Sequence, residues 1–596
     1  MKNLIIIEKK SIFNRLLLLF FNKKHTLIYY FHPYQIDQPK KLITRIKGYK
    51  EFKVPHNIEQ AITYKANKEA FKILDERNNN QILTFFISIG IPKEILIAFK
   101  KYQLAKIAYQ IRIAYILNYF DSELSNEFKF FCFMNNSYGY KYTERFIKNI
   151  DTSYIHNISM INIFSKIWIL IAVIFYIPIF TMMKIIKNGF TFRQRTPKNY
   201  KYGFHLNNNI YDRNTYASKN FFTKSRNDYL LSKILNYNDE ASIYIISHWN
   251  FDHEDEVRNL KEIKLRKANL GHEHNNPLTY RILKIIVKYY LKLIKFTSKQ
   301  IFSNELSLHD FITIIQIIRD LLLSEIFCSK YRISNFISRD DFSPIHISRT
   351  IVFNKYNIKN NGISHSGCLS KNTSMLLPYT YFNTFYTQGN FYYEYLYKDF
   401  WFSKNHKNLG PIYGKLVEKA LSDKEKKSIF NKKYGNKKSI CFLLGNFNSD
   451  TPFDSPKINF NSIKHLLKIL ELDKDIILFV VSRNDMSTSA LIESMEDFEK
   501  YKDRIFIDYF YSTYELMAYC KYLITGSTSS SIFEGTLNPK LSIIPLNVRA
   551  INKNPLYDYK DIKVFEDTSE LYEFFMESIK CTDDFPLNNN ALKKLL

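Results

Sequence analysis

The chain is 596 residues long, room for roughly three to four domains with an ample core of Leu, Ile, Phe and Tyr. Its formal charge of +28 would suit nucleic acid or an anionic membrane, but no long Lys/Arg block, zinc-finger spacing or RNP-like aromatic motif accompanies it, so nucleic acid is not expected as a partner. The six cysteines, Cys132, Cys328, Cys368, Cys441, Cys520 and Cys581, lie far apart without a C-x-x-C pair, which argues against a disulfide framework and fits a reducing compartment.

Taken in order, residues 1–158 read as a mixed α/β region of unassigned role. Strand-like runs at 4–7 and 26–31 precede a helical stretch at 92–120, where Ile97, Tyr102, Ala105, Ala108, Ile111 and Leu117 trace an approximate apolar face. The opening apolar runs are interrupted by Glu8, Lys9, Lys10, Asn14 and Arg15 and make a poor signal peptide. A hydrophobic segment lies within 159–190: residues 167–183 carry no charge, are bounded by Lys166 and Lys184, and sit at the short limit for a bilayer span. Pro178 is expected to kink this helix, and Lys184, Lys187, Arg193, Arg195, Lys198 and Lys201 place the following chain on the cytoplasmic side. The expectation is a membrane-associated helix with both flanks on the cytoplasmic side, against the competing reading of a buried core helix.

Residues 200–403 read as irregular α/β, with strands at 202–206 and 241–247, helices at 280–296 and 306–327, then strand 333–337, helix 344–356, and strands 358–364 and 379–387. Strands alternating with helices imply a parallel sheet whose ligands gather at the strands' carboxyl ends, where Asp340, Asp341, His365 and Gly389 fall. Residues 404–438, polar and basic with a break at Gly410 and Pro411, read as the connection between two lobes. In 439–590 the alternation is cleaner: strands at 439–444, 476–481, 504–507, 522–525 and 541–545, with helices at 461–470, 486–501, 513–520 and 532–537 between them.

One stretch in this last region carries chemistry. The apolar run Tyr522-Leu523-Ile524-Thr525 enters Gly526-Ser527-Thr528-Ser529-Ser530-Ser531, which has almost no side-chain bulk, and a helix is expected from Ile532. Such a turn offers backbone N–H groups and hydroxyls to a phosphate. A capping box, Ser531 capping and Glu534 reaching back, is the local alternative, and both can hold at once.

Two Rossmann-type lobes in succession resemble the GT-B glycosyltransferases, and more narrowly the bacterial surface-polysaccharide biosynthesis proteins related to capsule transferases and CDP-glycerol glycerophosphotransferases. The likeness is carried by the G-S-T-S-S-S-x-x-E run from Gly526 to Glu534, the strand end Ile363-Ser364-His365-Ser366-Gly367, and Tyr386-Thr387-Gln388-Gly389, and it covers residues 200–590. It implies an α/β fold with an acceptor lobe at 200–403 and a nucleotide-donor lobe at 439–590, behind the mixed α/β region and the membrane-associated helix. Carried over by position, Ser527, Ser529, Ser530 and Ser531 would bind the donor phosphates and Glu534 the ribose hydroxyls. Gly445 and Asn446 would border the donor, and Ser482 and Arg483 would add charge compensation, although ordinary loop structure accounts for these four equally well. His365 stands where related enzymes place an H-G turn, here His-Ser-Gly, and is the candidate general base with Asp341, itself also a good helix-start residue.

The runs 252–256 and His272-Glu273-His274 lack a third ligand at defined spacing, so no metal is expected. The resemblance likewise implies no cofactor, the nucleotide-sugar or CDP-alditol being the donor substrate. The expected activity is transfer of a sugar or phosphoalditol from a nucleotide-activated donor to a glycan or lipid-linked acceptor at a membrane surface. A sugar-nucleotide 2-epimerase-type enzyme and a non-catalytic polysaccharide-assembly protein with a GT-B shell are the alternatives, and nucleotide binding separates the last from the others.

Overall fold

The structure, a computed structural model, describes residues 2–7, 21–30, 50–52, 54–124, 126–134, 146, 155–157, 165–192, 197–206, 242–246, 269–272, 276–300, 306–338, 343–364, 378–394, 398, 402–411, 414–435, 437–444, 456–481, 498–507, 511–525, 531–546, 556, 559–565, 568–580 and 587–596. The chain divides into two compact units. One comprises Met1–Asn199, Glu273–Arg332 and Ser343–Ile358; the other comprises Tyr200–His272, Ile333–Phe342 and Lys359–Leu596.

In the first unit, strands β1 (Lys2–Ile7), β2 (Thr26–Tyr30), β3 (Lys50–Glu51), β4 (Phe128–Met134) and β5 (Ile155–Asn157) form a parallel sheet in the order β3-β2-β1-β4-β5. Leu4 pairs in register with Leu27 and with Phe130, so the central strand is flanked by apolar neighbours on both sides. Leu4, Ile6, Tyr29, Phe128 and Phe130 share one core with Tyr109, Ile113 and Phe120. The last three lie on a 30-residue helix that extends the expected helical stretch. It is α3 (Ile95–Leu124), preceded by α1 (His56–Glu76) and α2 (Asn80–Ser88) and packed on α1.

The rest of this unit holds the helices α4 (Ser165–Asn188), α5 (Tyr280–Gln300), α6 (Leu308–Lys330) and α7 (Ile345–Lys355), with one short parallel pair of strands, Phe190–Thr191 beside Leu278–Thr279. Helix α6 starts in a capping box made by Ser307 and Asp310, and two carboxylates further along it are wholly buried. Asp320 accepts hydrogen bonds from Tyr102 Oη at 2.5 Å and Arg319 Nη2 at 2.8 Å; Glu325 accepts from Lys355 Nζ at 2.6 Å and Tyr356 Oη at 2.5 Å. Breaking one partner of such a pair leaves an uncompensated charge, so these networks hold α3, α6 and α7 to one arrangement.

The hydrophobic segment is helix α4, which runs without interruption through Pro178. Proline has no N–H and leaves the carbonyl four residues earlier without its helical donor. That carbonyl belongs to Ile174, and the Tyr290 hydroxyl of α5 donates to it at 3.0 Å. A partner helix thus satisfies the group the proline orphans. Ile169, Val173 and Ile177 bury one face of α4, whereas Ile167, Phe175, Ile179, Met182, Met183 and Ile186 are at least half exposed.

The second unit holds two further sheets. Strands β6 (Lys198–Leu206), β7 (Ser242–Ile246), β8 (Asn269–His272), β9 (Tyr331–Ser338), β10 (Lys359–Ile363), β11 (Thr384–Thr387) and β12 (Asn405–Asn408) follow the order β12-β11-β10-β9-β6-β7-β8. Residues 404–438 are therefore no simple connection: they supply edge strand β12 and the helices α8 (Gly414–Ser422) and α9 (Lys424–Tyr434), the latter capped by Asp423. Sequence offered no sign of this strand, because a short polar edge strand, exposed except at half-buried His406, carries no periodic apolar signal.

The last sheet combines β13 (Lys438–Leu443), β14 (Ile476–Val481), β15 (Ile505–Phe506), β16 (Tyr522–Thr525) and β17 (Ser542–Pro545) as β15-β14-β13-β16-β17, all in parallel pairs. Its described helices are α10 (Pro456–Leu472), α11 (Thr513–Tyr519), α12 (Ser531–Gly535), α13 (Thr568–Lys580) and α14 (Asn589–Lys594), besides a single turn at Phe498–Tyr501. The five strands coincide with the expected ones to within one residue or two, as their uninterrupted runs of buried aliphatic residues dictate.

Candidate functional site

In the last sheet the chain leaves β13 toward β14 on one side and β16 toward β17 on the other, so the strand order reverses between β13 and β16. A crevice outside the carboxyl ends forms at such a reversal and is where open α/β sheets bind ligands. The two strands end level, Leu443 in register with Thr525. Gly445 and Asn446 follow the first in sequence, and the Gly526 to Ser530 turn follows the second. The expected donor loops thus leave the sheet from the two strands that bound the switch point.

Of the ten candidate site residues, the structure describes Ser531 and Glu534; His365, Asp341, Gly445, Asn446, Arg483, Ser527, Ser529 and Ser530 lie outside the described residues, as do Ser482 and the runs 252–256 and 273–274. Helix α12 begins at Ser531, one residue before the expected start, and Glu534 is its fourth residue. Helix α12 is also only five residues long, so its dipole is small. It is pressed hard onto the sheet, since a Cβ at Gly535 would stand 2.9 Å from Leu523 Cδ2 and 3.1 Å from Leu541 Cδ2. Glu534 is buried.

Sequence reading passed over Thr525. It is the last residue of β16, fully buried, and its hydroxyl has no hydrogen-bond partner among the described residues. A buried hydroxyl left without a partner costs about 1–3 kcal/mol, and this one stands at the switch point of the sheet. The signal was a threonine closing an aliphatic run before a run of small residues.

A second row of such groups lines the other sheet of this unit. Ser338 ends β9, Ser364 follows β10 and Gln388 follows β11, on three neighbouring strands; all are buried, and their side-chain polar atoms have no partner among the described residues. Gln388 leaves both its amide nitrogen and its amide oxygen unmatched. Asp341 comes three residues after Ser338 in sequence, and His365 directly after Ser364. Beside them, the Thr387 hydroxyl donates to Gly389 O at 3.1 Å and lies 2.6 Å from His406 Nε2, whose ring stacks on Tyr393 at 4.2 Å. Burial lowers the His406 pKa, with Glu394 opposing it, and burial raises that of Tyr386.

The two sheets meet within the unit. Phe391 and Tyr392, in the turn after Gln388, place their rings 5.6 Å and 5.4 Å from Phe533 of α12. After α14, Leu595 O accepts from Phe391 N at 3.2 Å and Leu596 O from the Asn408 side chain, while Asn589 at the start of α14 donates to Asn538 O and Leu541 O at 2.8 Å and 3.1 Å. Gly389 lets the chain end approach closely, since a Cβ there would stand 3.2 Å from Leu596 Cα. The carboxyl ends of β11 and β16 are thereby drawn to one region, with unmatched polar groups on both. Among the described residues no three His, Cys, Asp or Glu side chains converge as a metal site would need.

No family model matches the chain, and no curated protein matches it. Among solved structures, a CDPG-soaked variant of the wall teichoic acid polymerase TagF aligns at 10% identity over 72% of this chain and 92% of that one, with a TM-score of 0.35. Anabaena HepE in complex with UDP and glucose aligns at 9% identity over 66% and 94%, TM-score 0.38. A UDP-N-acetylglucosamine 2-epimerase assigned from Listeria monocytogenes aligns at 9% over 66% and 90%, TM-score 0.37. The fold of this chain rests on its own strand order and register.

Proposed function

We propose that the chain is a glycosyltransferase-like enzyme that moves a sugar, or a sugar-like phosphoalditol, from a nucleotide-activated donor to a glycan or lipid-linked acceptor at the cytoplasmic face of a membrane. The observation that carries this reading is the orphaned Thr525 hydroxyl at the β13/β16 switch point, at the mouth of a turn of glycine and hydroxyl residues. A nucleoside diphosphate would supply an acceptor oxygen for the Thr525 hydroxyl, which has no partner among the described residues. Ser527, Ser529, Ser530 and Ser531 would hold its phosphates and Glu534 the ribose; Gly445, Asn446 and Arg483 would close the other side.

The acceptor would lie against Ser338, Ser364 and Gln388, whose unmatched amide and hydroxyl groups suit a polyol. His365, aided by Asp341, would take the proton from the acceptor hydroxyl as its oxygen bonds to the transferred group. The donor's bond to its leaving phosphate then breaks with the electron pair on phosphate oxygen. Leaving-group charge is met by the serine turn and Arg483, and no metal enters the scheme.

A thermal-shift screen of the purified protein against UDP-, GDP-, CMP- and CDP-linked compounds tests the reading. One nucleotide class should raise the melting temperature in the wild type and not in Thr525→Val. No shift with any of them would leave the polysaccharide-assembly reading in its place.

A further inference from the structure

We propose that α4 and α5 together form a basic, apolar platform that lays the first unit on an anionic lipid bilayer, with α4 lying in the plane of one leaflet instead of crossing it. This rests on the membrane association in the proposed function and specifies how it is made. Helix α4 is apolar and long enough to span, but it is not free to be surrounded by lipid. Its Ile169, Val173 and Ile177 face is buried, it packs on α5 and α6, and Tyr290 of α5 is bonded to its Ile174 carbonyl. Were α4 to cross the hydrocarbon, α5 would have to go with it, and α5 exposes Lys284, Lys288, Lys292, Lys295 and Lys299 along its length. Ammonium groups at that density do not enter a bilayer core.

The same residues suit the interface. On a helix each residue turns by about 100°, so Val287 and Leu291 of α5 fall between the Tyr290 side that meets α4 and the lysine stripe. Both are exposed, as are Phe175 and Ile179 on α4. Neither helix contains an acidic residue. Charge complementarity therefore selects the occupant. The apolar strip enters the acyl boundary while the lysines rest among anionic headgroups, each adding attraction that salt screens.

The test floats the full-length protein with phosphatidylcholine vesicles, with and without phosphatidylglycerol. Lys284→Gln/Lys292→Gln/Lys295→Gln should cut binding to the anionic vesicles roughly tenfold or more and leave the weak neutral binding alone; Phe175→Ser/Ile179→Ser should abolish both. In membrane vesicles from expressing cells, cysteines introduced as Ile167→Cys and Ile186→Cys should react with an impermeant maleimide from the same side. Labelling from opposite sides would establish a span and overturn the proposal, as would anionic binding indifferent to the lysine changes. A wild-type dimer in solution that ignores vesicles and that Phe175→Ser/Ile179→Ser dissociates would assign the face to a second copy and overturn it equally. Nucleotide thermal shifts on the same variants without lipid keep the two readings apart: an intact shift with lost flotation concerns the platform only, and a missing shift in the wild type concerns the function only.

Discussion

The first and last sheets of this protein have the same strand order, with the first strand central and the reversal beside it, yet among the described residues only the reversal in the last carries a buried hydroxyl without a partner. At the reversal in the first sheet, β1 ends in Ile7 and is followed in sequence by Glu8, Lys9 and Lys10, and β4 ends in Met134. At the reversal in the last, Thr525 closes β16 with an unmatched hydroxyl and leads into six small residues. A doubly wound sheet offers a crevice wherever its order reverses; whether anything binds depends on the side chains and loop bulk placed there. Topology is thus shared, and the proposed chemistry is local to a few positions.

The sharpest way to break this contrast is His365→Ala, which should lower turnover by roughly two to four orders of magnitude with nucleotide affinity unchanged, as loss of a general base does. Wild-type turnover in that variant would remove His365 from the reaction. Next in size is Thr525→Val. Removing an orphaned hydroxyl should leave the free protein as stable as before or more so, whereas losing a bond to phosphate should weaken nucleoside diphosphate binding roughly tenfold to a hundredfold, at about 1.5–3 kcal/mol for a charged acceptor. Calorimetry showing unaltered affinity would move the donor off this switch point. Glu534→Gln should lower affinity for the donor by about tenfold with little change in melting temperature.

The first unit should answer to structural changes alone. Tyr290→Phe strands the Ile174 carbonyl beside Pro178 and should cost about 1–2 kcal/mol of stability without touching nucleotide binding. In a Pro178→Ala background, where the helix supplies its own N–H, most of that cost should vanish, and a double-mutant cycle reads the difference. The smallest effect is a pH slope. Burial, reinforced by Lys106 and Arg77, pushes the pKa of His309 on α6 down to about 2. Because the unfolded chain takes up this proton near pH 6.5 and the folded one does not, stability is whole above that pH and declines as pH falls below it, by about 1.4 kcal/mol per unit. His309→Gln should flatten the slope by one proton in denaturant titrations between pH 6.5 and 5; an unchanged slope would mean that the imidazole is not shielded from protons.

Local pattern was enough for the last sheet. Residues 476–481 and 522–524 are short, wholly aliphatic or aromatic runs, so their burial on both faces could be inferred from neighbours in sequence. The small bulk of the glycine and serine run 526–530 is likewise a property of the residues themselves. What sequence could not supply is everything set by pairing over long distances. Ser338, Ser364 and Gln388 become one row only because three strands align, and Tyr290 reaches Ile174 across 116 positions of chain. The start of α12 at Ser531 and the placing of 405–408 as an edge strand were likewise decided by packing, which overrides weak local preference where propensity alone amounts to about 1 kcal/mol or less per residue.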